Sequence, residues 1–282
     1  MPVTLILLSL LAGADSPTDA ADKPKAEATQ NYYAETAARY EFYRDAKKQE
    51  RLTLVTTPVF KWATDDDWSG DVFVWTYAQR PEMIGCILSG PKDKKSRDSY
   101  QEFHLLGERP VSNADMLGRF RWTPAEGLKL RSVEGAPPPA ETAPLRLAQM
   151  RQILRDFTAS MQANGEWELR LLPQPLLRYQ STDDVVVDGA LFTFIWPKGT
   201  DPELILLLEC RKTQNGNEWF YAPVRFSTRE LWLKYREKEV WRGPSLVHEN
   251  NSNPLKSYVS AAIETVPASR VENKPAAPTK EQ

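Results

Sequence analysis

The chain has 282 residues, of which 41% are hydrophobic and 26% are charged, and its formal net charge is -2 at pH 7. This length suits one large domain or two small ones, and the composition excludes a chain that is membrane-embedded or disordered throughout. Lysine and arginine are not concentrated into a stripe, so the sequence argues against a nucleic-acid partner.

The first 14 residues resemble a cleavable export signal. Residues 3–11 form an apolar run too short to span a bilayer, and Ala12, Gly13 and Ala14 provide the small residues of a cleavage site. No basic residue precedes the run, which is unusual for such a signal. Position 14 is not the cysteine of a lipoprotein, so we expect a periplasmic or secreted product without a lipid or transmembrane anchor. The alternative is a buried N-terminal strand.

Three stretches of polar or proline-rich sequence divide the rest of the chain. Residues 15–28 and 250–282 are polar and aperiodic, which predicts a disordered linker and a disordered tail. Residues 132–144 carry several prolines, which remove backbone donors and disfavour helix in the residues before them. The predicted folded body is therefore a first unit at residues 29–131 and a second unit at residues 145–249.

The two units resemble each other in sequence, which predicts an internal duplication. Several leucine, proline, aspartate, glycine and aromatic positions coincide when the units are aligned with one shift of two residues. The matched pairs are Leu52/Leu169, Leu54/Leu171, Pro58/Pro175, Asp66/Asp183, Asp67/Asp184, Gly70/Gly189, Phe73/Phe192 and Trp75/Phe194.

Each unit is predicted to begin with a helix. In the second unit, apolar residues recur at steps of three and four from Leu147 to Met161, which is the spacing of one helical face. In the first unit, a tyrosine-rich stripe that includes Tyr33 and Tyr40 predicts a helix over residues 30–50. We expect these tyrosines to pack in the core and not to bind a ligand.

After each helix the apolar pattern changes to that of strands. In the first unit, residues 71–77, 83–88 and 101–106 are strand-like and are separated by Gly, Pro and Asp turns. The intervals are too short for parallel crossovers, so the sheet should be antiparallel. The predicted fold class is α+β: two tandem copies of a helix packed on an antiparallel sheet, similar in architecture to cystatin-like or nuclear-transport-factor-like units, which could pack together as one body.

One strand in each unit has two apolar faces, and only one face can lie under the unit's own helix. The other face must contact the second unit, a small molecule or sugar in an aromatic cavity, or a partner protein. The aromatic residues of these strands are therefore the candidate ligand or partner surface: Phe73, Trp75, Tyr77, Phe192, Phe194 and Trp196.

Catalytic signals are weak. Glu102 and His104 are predicted on the same strand face, where they could form an acid/base pair if a pocket opens beside them. The other histidine, His248, is far away in sequence, and two histidines alone do not suggest a metal site. The chain has no glycine-rich phosphate loop, nucleophile elbow or paired-cysteine motif, so we expect no cofactor and no metal.

An acidic run at residues 65–67 and its counterpart, Asp183 and Asp184, could bind a hard cation or could form turns. The alternate ligand spacing of a calcium loop is missing, which favours turns. The two cysteines, Cys86 and Cys210, are too few for a disulfide framework. They could be buried thiols or could form a single bridge between the two units.

Four short motifs resemble exported proteins of unknown function from planctomycete bacteria. The motifs are Gly70-Asp71-Val72-Phe73-Val74-Trp75, Arg80-Pro81-Glu82-Met83-Ile84-Gly85, Glu102-Phe103-His104 and Glu239-Val240-Trp241-Arg242. The resemblance spans most of residues 30–245 and implies a periplasmic or secreted location, but it implies no activity.

The sequence therefore favours an exported, non-catalytic protein that binds a small molecule or a protein partner. The alternative is a hydrolase or isomerase with a pocket between helix and sheet in the first unit. In that alternative Glu102 and His104 would carry the chemistry.

Overall fold

The computed structural model describes residues 17–113, 117, 122, 124, 127–183, 185–197, 199–246 and 257–272. The predicted signal peptide lies outside these residues. The elements of the first half are α1 (Pro17–Ala37), β1 (Phe42–Tyr43), β2 (Thr53–Ala63), β3 (Ser69–Tyr77), β4 (Arg80–Pro91), β5 (Ser96–Leu105), β6 (Ser112–Asn113) and β7 (Arg131–Ser132).

The second half has the same mixture of long strands and short helices. Its elements are α2 (Ala143–Leu154), β8 (Phe157–Gln162), β9 (Glu166–Leu171), β10 (Leu177–Tyr179), β11 (Val186–Ile195), β12 (Pro202–Thr213), β13 (Gly216–Arg225), β14 (Leu231–Tyr235), β15 (Lys238–Gly243), β16 (Tyr258–Pro267) and α3 (Ala268–Glu272).

The strands form two large antiparallel sheets, as the short intervals between them predicted. One sheet has five strands in the order β16-β5-β4-β3-β2. The other has nine, in the order β15-β14-β8-β9-β11-β12-β13-β7, with β10 also paired to β11. The β3–β4 hairpin turns on Ala78 and Gln79, both with positive φ, a geometry that matches the twist of the paired strands.

The two sheets pack face to face. Because strand side chains alternate between faces, Val72 and Val74 of β3 point toward the other sheet, where they join a buried cluster with Leu191 of β11 and Ile205 and Leu207 of β12. This shared layer is the central core of the molecule.

Each sheet also has an outer core. On the five-stranded sheet, Phe73 and Trp75 belong to a buried cluster that includes Tyr33 of α1. On the nine-stranded sheet, Phe192 and Phe194 pack in a cluster with α2 and with strands β8 and β14. The long strands β3, β4, β11 and β12 are therefore apolar on both faces.

A buried ionic network joins the two sheets. The guanidinium Nε of Arg80 on β4 lies 2.9 Å from Glu209 Oε1 on β12, and Arg80 also pairs with Glu82 at 3.3 Å. The Tyr179 hydroxyl donates a hydrogen bond of 2.6 Å to the same Glu209 oxygen. Glu209 is completely buried, so these partners replace the water that its side chain loses on burial.

The predicted fold of two tandem helix-plus-sheet copies is wrong. The protein is mainly antiparallel β, and neither sheet is built from one predicted unit alone. The nine-stranded sheet takes in β7, which lies where the predicted first unit meets the linker, and it adds strands β8, β14 and β15, which have no counterpart in the five-stranded sheet.

The second predicted helix is shorter than its pattern suggested. Helix α2 ends at Leu154, and Phe157, Ala159 and Met161 alternate into the core as strand β8. Phe157 and Met161 are four residues apart, a spacing that fits both a helical face and every second residue of a strand. The apolar pattern alone could not separate the two structures.

The first helix is shifted toward the N-terminus. It spans Pro17–Ala37 instead of residues 30–50, so it includes most of the predicted linker. Residues 42–43 already form strand β1, which pairs with β6. Tyr33 and Tyr40 are buried in the core, as we expected.

The predicted disordered tail contains regular structure. Strand β16 pairs with β5 along its whole length and completes the edge of the five-stranded sheet, and helix α3 follows it. The remainder of the predicted tail lies outside the described residues. Within the described part of the chain, no helix has the length and hydropathy needed to cross a membrane.

Candidate ligand site

A cavity of about 420 Å³ lies between the two sheets, and we call it the aromatic-acidic cavity. The five-stranded sheet contributes side chains from β2, β4, β5 and β16. The nine-stranded sheet contributes the end of β11, the start of β12 and the segment after β13. Its volume is within the range of small-molecule sites, which is about 300–1,000 Å³.

Four large aromatic side chains line this cavity: Trp62, Trp68, Tyr100 and Trp196. Trp68 and Tyr100 are neighbours, with ring centroids 5.7 Å apart. Gly90 allows Trp68 to lie close against the sheet, because a Cβ at this position would come within 2.2 Å of the indole. The absence of a side chain on β4 thus helps to place one wall of the cavity.

Three carboxyl groups face the same space. Glu102 comes from β5, and Asp201 and Glu203 flank Pro202 at the start of β12. The Tyr258 hydroxyl of β16 donates a hydrogen bond to Glu102 Oε1. Asp201 Oδ1 is buried and has no hydrogen-bond partner among the described residues.

Burial makes these carboxyl groups weaker acids than the same groups in water. It raises the pKa of Glu102 to about 8, against the opposing effect of the Tyr258 hydrogen bond. Burial and then the charge of Asp201 raise the pKa of Glu203 to about 8. The pKa of Asp201 is also raised, again mainly by burial. At neutral pH the two glutamates are therefore mostly protonated, and each can both donate and accept a hydrogen bond.

The remaining polar groups are one cation and several hydroxyls. The guanidinium carbon of Arg229 lies 5.0 Å from the ring centroid of Trp196, so the cation stacks on one of the aromatic walls. Ser227, Thr228 and Ser260 also line the cavity. The site thus combines flat apolar surfaces with many hydrogen-bonding groups and little net charge.

His104 lies away from this cavity. It lines a neighbouring space of about 500 Å³ with Arg225, Ser257 and Tyr258, whereas Glu102 does not line that space. Its Nδ1 is 2.7 Å from the Leu105 carbonyl oxygen, and burial lowers its pKa to about 4, so the ring is neutral. The structure therefore does not bring Glu102 and His104 together in one cleft, which argues against the acid/base pair.

The predicted aromatic surface is mostly core. Five of its six members are buried in the outer cores or packed against them: Phe73, Trp75, Tyr77, Phe192 and Phe194. Trp196 packs partly against the outer core and also lines the aromatic-acidic cavity. Of the predicted site residues, Glu102 and Trp196 are thus the ones that meet in the candidate site.

Sequence reasoning missed Trp62, Trp68, Tyr100, Asp201 and Glu203. The sequence did contain a hint for Asp201 and Glu203. Asp201 lies just before strand β12 and Glu203 lies at its start, where a long run of buried apolar residues begins. A carboxyl group at the start of a fully buried strand is costly unless it has a role or a partner.

The acidic run at residues 65–67 forms the turn between β2 and β3. The amide of Asp67 donates to the Thr64 carbonyl at 3.2 Å, and Arg97 binds the Asp67 carboxylate at 2.7 Å. Asp183 Oδ1 accepts a bond from the Val185 amide in a similar turn, whereas Asp184 lies outside the described residues.

The remaining candidates from the sequence are His248, a metal site and a disulfide bond between the two cysteines. His248 lies outside the described residues. Within the described ranges, no group of three or more His, Cys, Asp or Glu side chains could hold a metal ion. Cys86 and Cys210 are free and buried, and they lie in different core clusters, so the bridge between units is not formed.

Comparison with family models, curated proteins and solved structures finds no match to this chain. The candidate site must therefore be interpreted from its own geometry.

Proposed function

We propose that this protein binds a small, uncharged, polyhydroxylated ligand such as a sugar in the aromatic-acidic cavity. The observation that carries the proposal is that one cavity combines the indole walls Trp62, Trp68 and Trp196 with two protonated carboxyl groups, Glu102 and Glu203. This combination fits a ligand that presents both apolar C–H faces and many hydroxyl groups.

The aromatic walls suit the flat faces of a sugar ring. Indole and phenol rings bury a large apolar area at low conformational cost and retain a polar edge. Trp196 is held in place by Arg229 on one face and by Trp167, which meets it edge to face at 6.2 Å. A wall held in this way can contact a ligand without first becoming ordered.

The carboxyl groups suit the hydroxyl groups of the same ligand. A protonated carboxyl group donates one hydrogen bond and accepts others, so it can satisfy a hydroxyl in either direction. The unpartnered Asp201 Oδ1 offers a further acceptor. Because unpaired buried polar groups are costly, a ligand that pairs with them would gain affinity.

Binding is favoured over hydrolysis. Glycoside hydrolysis needs one protonated carboxyl group and one ionised carboxylate on either side of the bond that breaks. The two cavity glutamates, Glu102 and Glu203, both have a pKa of about 8, so at neutral pH this pair does not divide into one protonated acid and one ionised carboxylate.

The first test is a titration of the full chain with cellobiose, glucose and N-acetylglucosamine, followed by intrinsic tryptophan fluorescence. We expect a saturable change with at least one of these sugars. Trp196→Leu should weaken binding by at least about tenfold, since aromatic side chains supply much of the contact energy in such sites.

Trp232→Leu is the matched control. Trp232 also stacks with an arginine, Arg242 at 5.1 Å, but it does not line the cavity. This variant should keep the wild-type affinity. Absence of saturable binding to all three sugars, or equal affinities of wild type and Trp196→Leu, would exclude the proposal.

We also infer that the protein is exported to the periplasm or secreted. The apolar run at residues 3–11, the small residues at 12–14 and the resemblance to exported planctomycete proteins support this location. N-terminal sequencing of the protein recovered from the cell exterior should begin at Asp15. Recovery of the chain only with Met1 would contradict export by cleavage.

We also propose that the matching strands of the two units derive from a duplication. The proposal does not include the helices. The sequence matches are supported by equal strand orders, since β5-β4-β3-β2 in one sheet corresponds to β13-β12-β11-β10 in the other. A sequence profile built on relatives of residues 52–106 should detect residues 169–226. Failure of two such profiles to detect each other would count against the duplication.

A further inference from the structure

A further cavity, of about 730 Å³, lies between helix α1 and the edge of the five-stranded sheet. We call it the helix-side cavity. Its walls come from Gln30 and Tyr33 of α1, from β2, and from the β2–β3 turn and the start of β3. Trp62 and Trp68 line both cavities, so the two spaces share part of a wall.

Asp71 is the unusual residue of the helix-side cavity. It is only 3% exposed, and its Oδ2 atom has no hydrogen-bond partner within the described part of the chain. Buried carboxyl groups are nearly always hydrogen-bonded, because an unpaired one loses its hydration without compensation. Burial raises its pKa to about 6, so the group is still mostly ionised at neutral pH.

The cations nearest to this space are already engaged. Lys61 is the cross-strand neighbour of Asp71 and lowers its pKa, but its Nζ donates a hydrogen bond of 2.6 Å to Gln30 Oε1. Arg97 binds the carboxylate and carbonyl of Asp67, a residue that lines the cavity, at 2.7 and 2.6 Å. Neither side chain forms a hydrogen bond with Asp71.

Aromatic side chains line much of this cavity. Tyr33 lies on the same side of the sheet as Asp71, whereas Phe60 and Trp62 lie on the other face of β2, where they pack against the central core. Tyr33, Phe60, Trp62 and Trp68 line the cavity, and the hydroxyl of Tyr33 is committed to Ser69 and Ser89. Aromatic faces attract an organic cation through the ring quadrupole, and the attraction is strongest when water is excluded. A cavity that offers one buried negative charge together with aromatic side chains at the edge of β2 is thus suited to a positively charged organic group.

From these observations we propose that the helix-side cavity binds an organic ammonium ion, with Asp71 as its counterion and with the aromatic side chains of the cavity as contacts for its organic part. This proposal does not rest on the proposed sugar site, although the two cavities share Trp62 and Trp68.

The experiment is calorimetric titration of the full chain at neutral pH with phenethylamine and with 2-phenylethanol, its neutral analogue. We expect saturable binding of phenethylamine, and binding of the alcohol should be at least about tenfold weaker, because it lacks the charge that pairs with Asp71. Asp71→Asn should weaken phenethylamine binding by a similar factor.

Two further variants distinguish a counterion from a merely structural residue. Lys61→Gln removes the competing cation and should strengthen phenethylamine binding, an effect opposite to that of Asp71→Asn. Asp156→Asn removes an exposed carboxylate that pairs with Arg236, and it should leave the affinity unchanged. No saturable binding of phenethylamine, equal affinities for amine and alcohol, or an unchanged affinity of Asp71→Asn would each overturn the proposal.

Discussion

Glu102 illustrates how the position of one residue determines the chemistry of the cavity. Part of its side chain faces the cavity, but the surrounding protein packs closely enough that burial raises its pKa to about 8. Its one direct partner in the site, the Tyr258 hydroxyl, opposes this rise only in part. The carboxyl group is therefore kept as a neutral hydrogen-bonding group.

This shift predicts a pH-dependent stability. A glutamate side chain ordinarily has a pKa of 4.5, whereas the pKa of Glu102 in the folded protein is about 8, so between these values the folded state keeps a proton that the unfolded chain releases. This contribution to stability is full below about pH 4.5 and is lost as pH rises through about 8. The side chain in Glu102→Gln resembles the protonated acid and does not titrate, so this variant should not lose that stability as the pH rises.

Chemical denaturation at about pH 5 and about pH 9 would measure the effect. At the higher pH, the free energy of unfolding of Glu102→Gln should exceed that of wild type by about 1–3 kcal/mol, so the variant should unfold at a higher denaturant concentration. At the lower pH the two free energies should differ little. Glu166→Gln, at an exposed position on β9, is the control. A constant difference between Glu102→Gln and wild type across this pH range would contradict the raised pKa.

The two thiols should be unreactive in the folded protein. Burial raises the pKa of Cys86 well above its usual value and raises that of Cys210 to about 11. Since the thiolate is the reactive form, Ellman's reagent should modify neither cysteine in native protein and both in denaturant. The mass of the purified protein should not change on reduction, and a gain equal to two hydrogen atoms would reveal a disulfide bond.

At the residue scale, the sequence could indicate some site residues and not others. Glu102 was identified because it shares a predicted strand face with His104, and Trp196 because it continues the aromatic pattern of Phe192 and Phe194. Trp62, Trp68 and Tyr100 sit on other strands or turns, and their common cavity depends on how the two sheets meet. That arrangement has no local sequence signal.

At the scale of elements, strands β4 and β12 connect the two sheets through Arg80 and Glu209. Glu209 is fully buried, and Tyr179 donates to the same carboxylate oxygen that Arg80 binds. Because the network crosses between the sheets, its loss should weaken their packing and not only a local contact.

Glu209→Ala should destabilise the protein by about 3–5 kcal/mol, since it leaves the Arg80 guanidinium buried without its main partner. Tyr179→Phe removes only one hydrogen bond and should cost about 0.5–3 kcal/mol. Urea denaturation of the two variants would measure the difference. A Glu209→Ala cost no larger than that of Tyr179→Phe would show that the network does not join the sheets.

The errors in element prediction have physical causes. The apolar spacing of Phe157 and Met161 fits both a helix and a strand, so the change from α2 to β8 was missed. Strand β16 was missed because its sequence lacks the alternating pattern of a half-buried strand, and its stability comes from pairing with β5, which is distant in sequence. The antiparallel strands β3, β4 and β5 were recognised because their intervals and turns are local.

At the scale of the whole molecule, the aromatic-acidic cavity exists because two sheets pack face to face. The sequence led us to consider this packing as one explanation for the strands with two apolar faces, but it assigned each sheet to one unit with its own helix. In the structure the nine-stranded sheet takes in β7 and the five-stranded sheet takes in β16, and such long-range pairings cannot be read from either unit alone.

The most direct test of the proposed sugar site is the affinity for cellobiose measured by calorimetry at about pH 6 and about pH 9.5. If protonated Glu102 and Glu203 bind the sugar hydroxyls, the affinity of wild type should fall by at least about tenfold at the higher pH, because the folded pKa of each is about 8. The double variant Glu102→Gln/Glu203→Gln should bind with nearly the same affinity at both. Equal wild-type affinities at the two pH values, or no binding at the lower one, would contradict this mode of recognition.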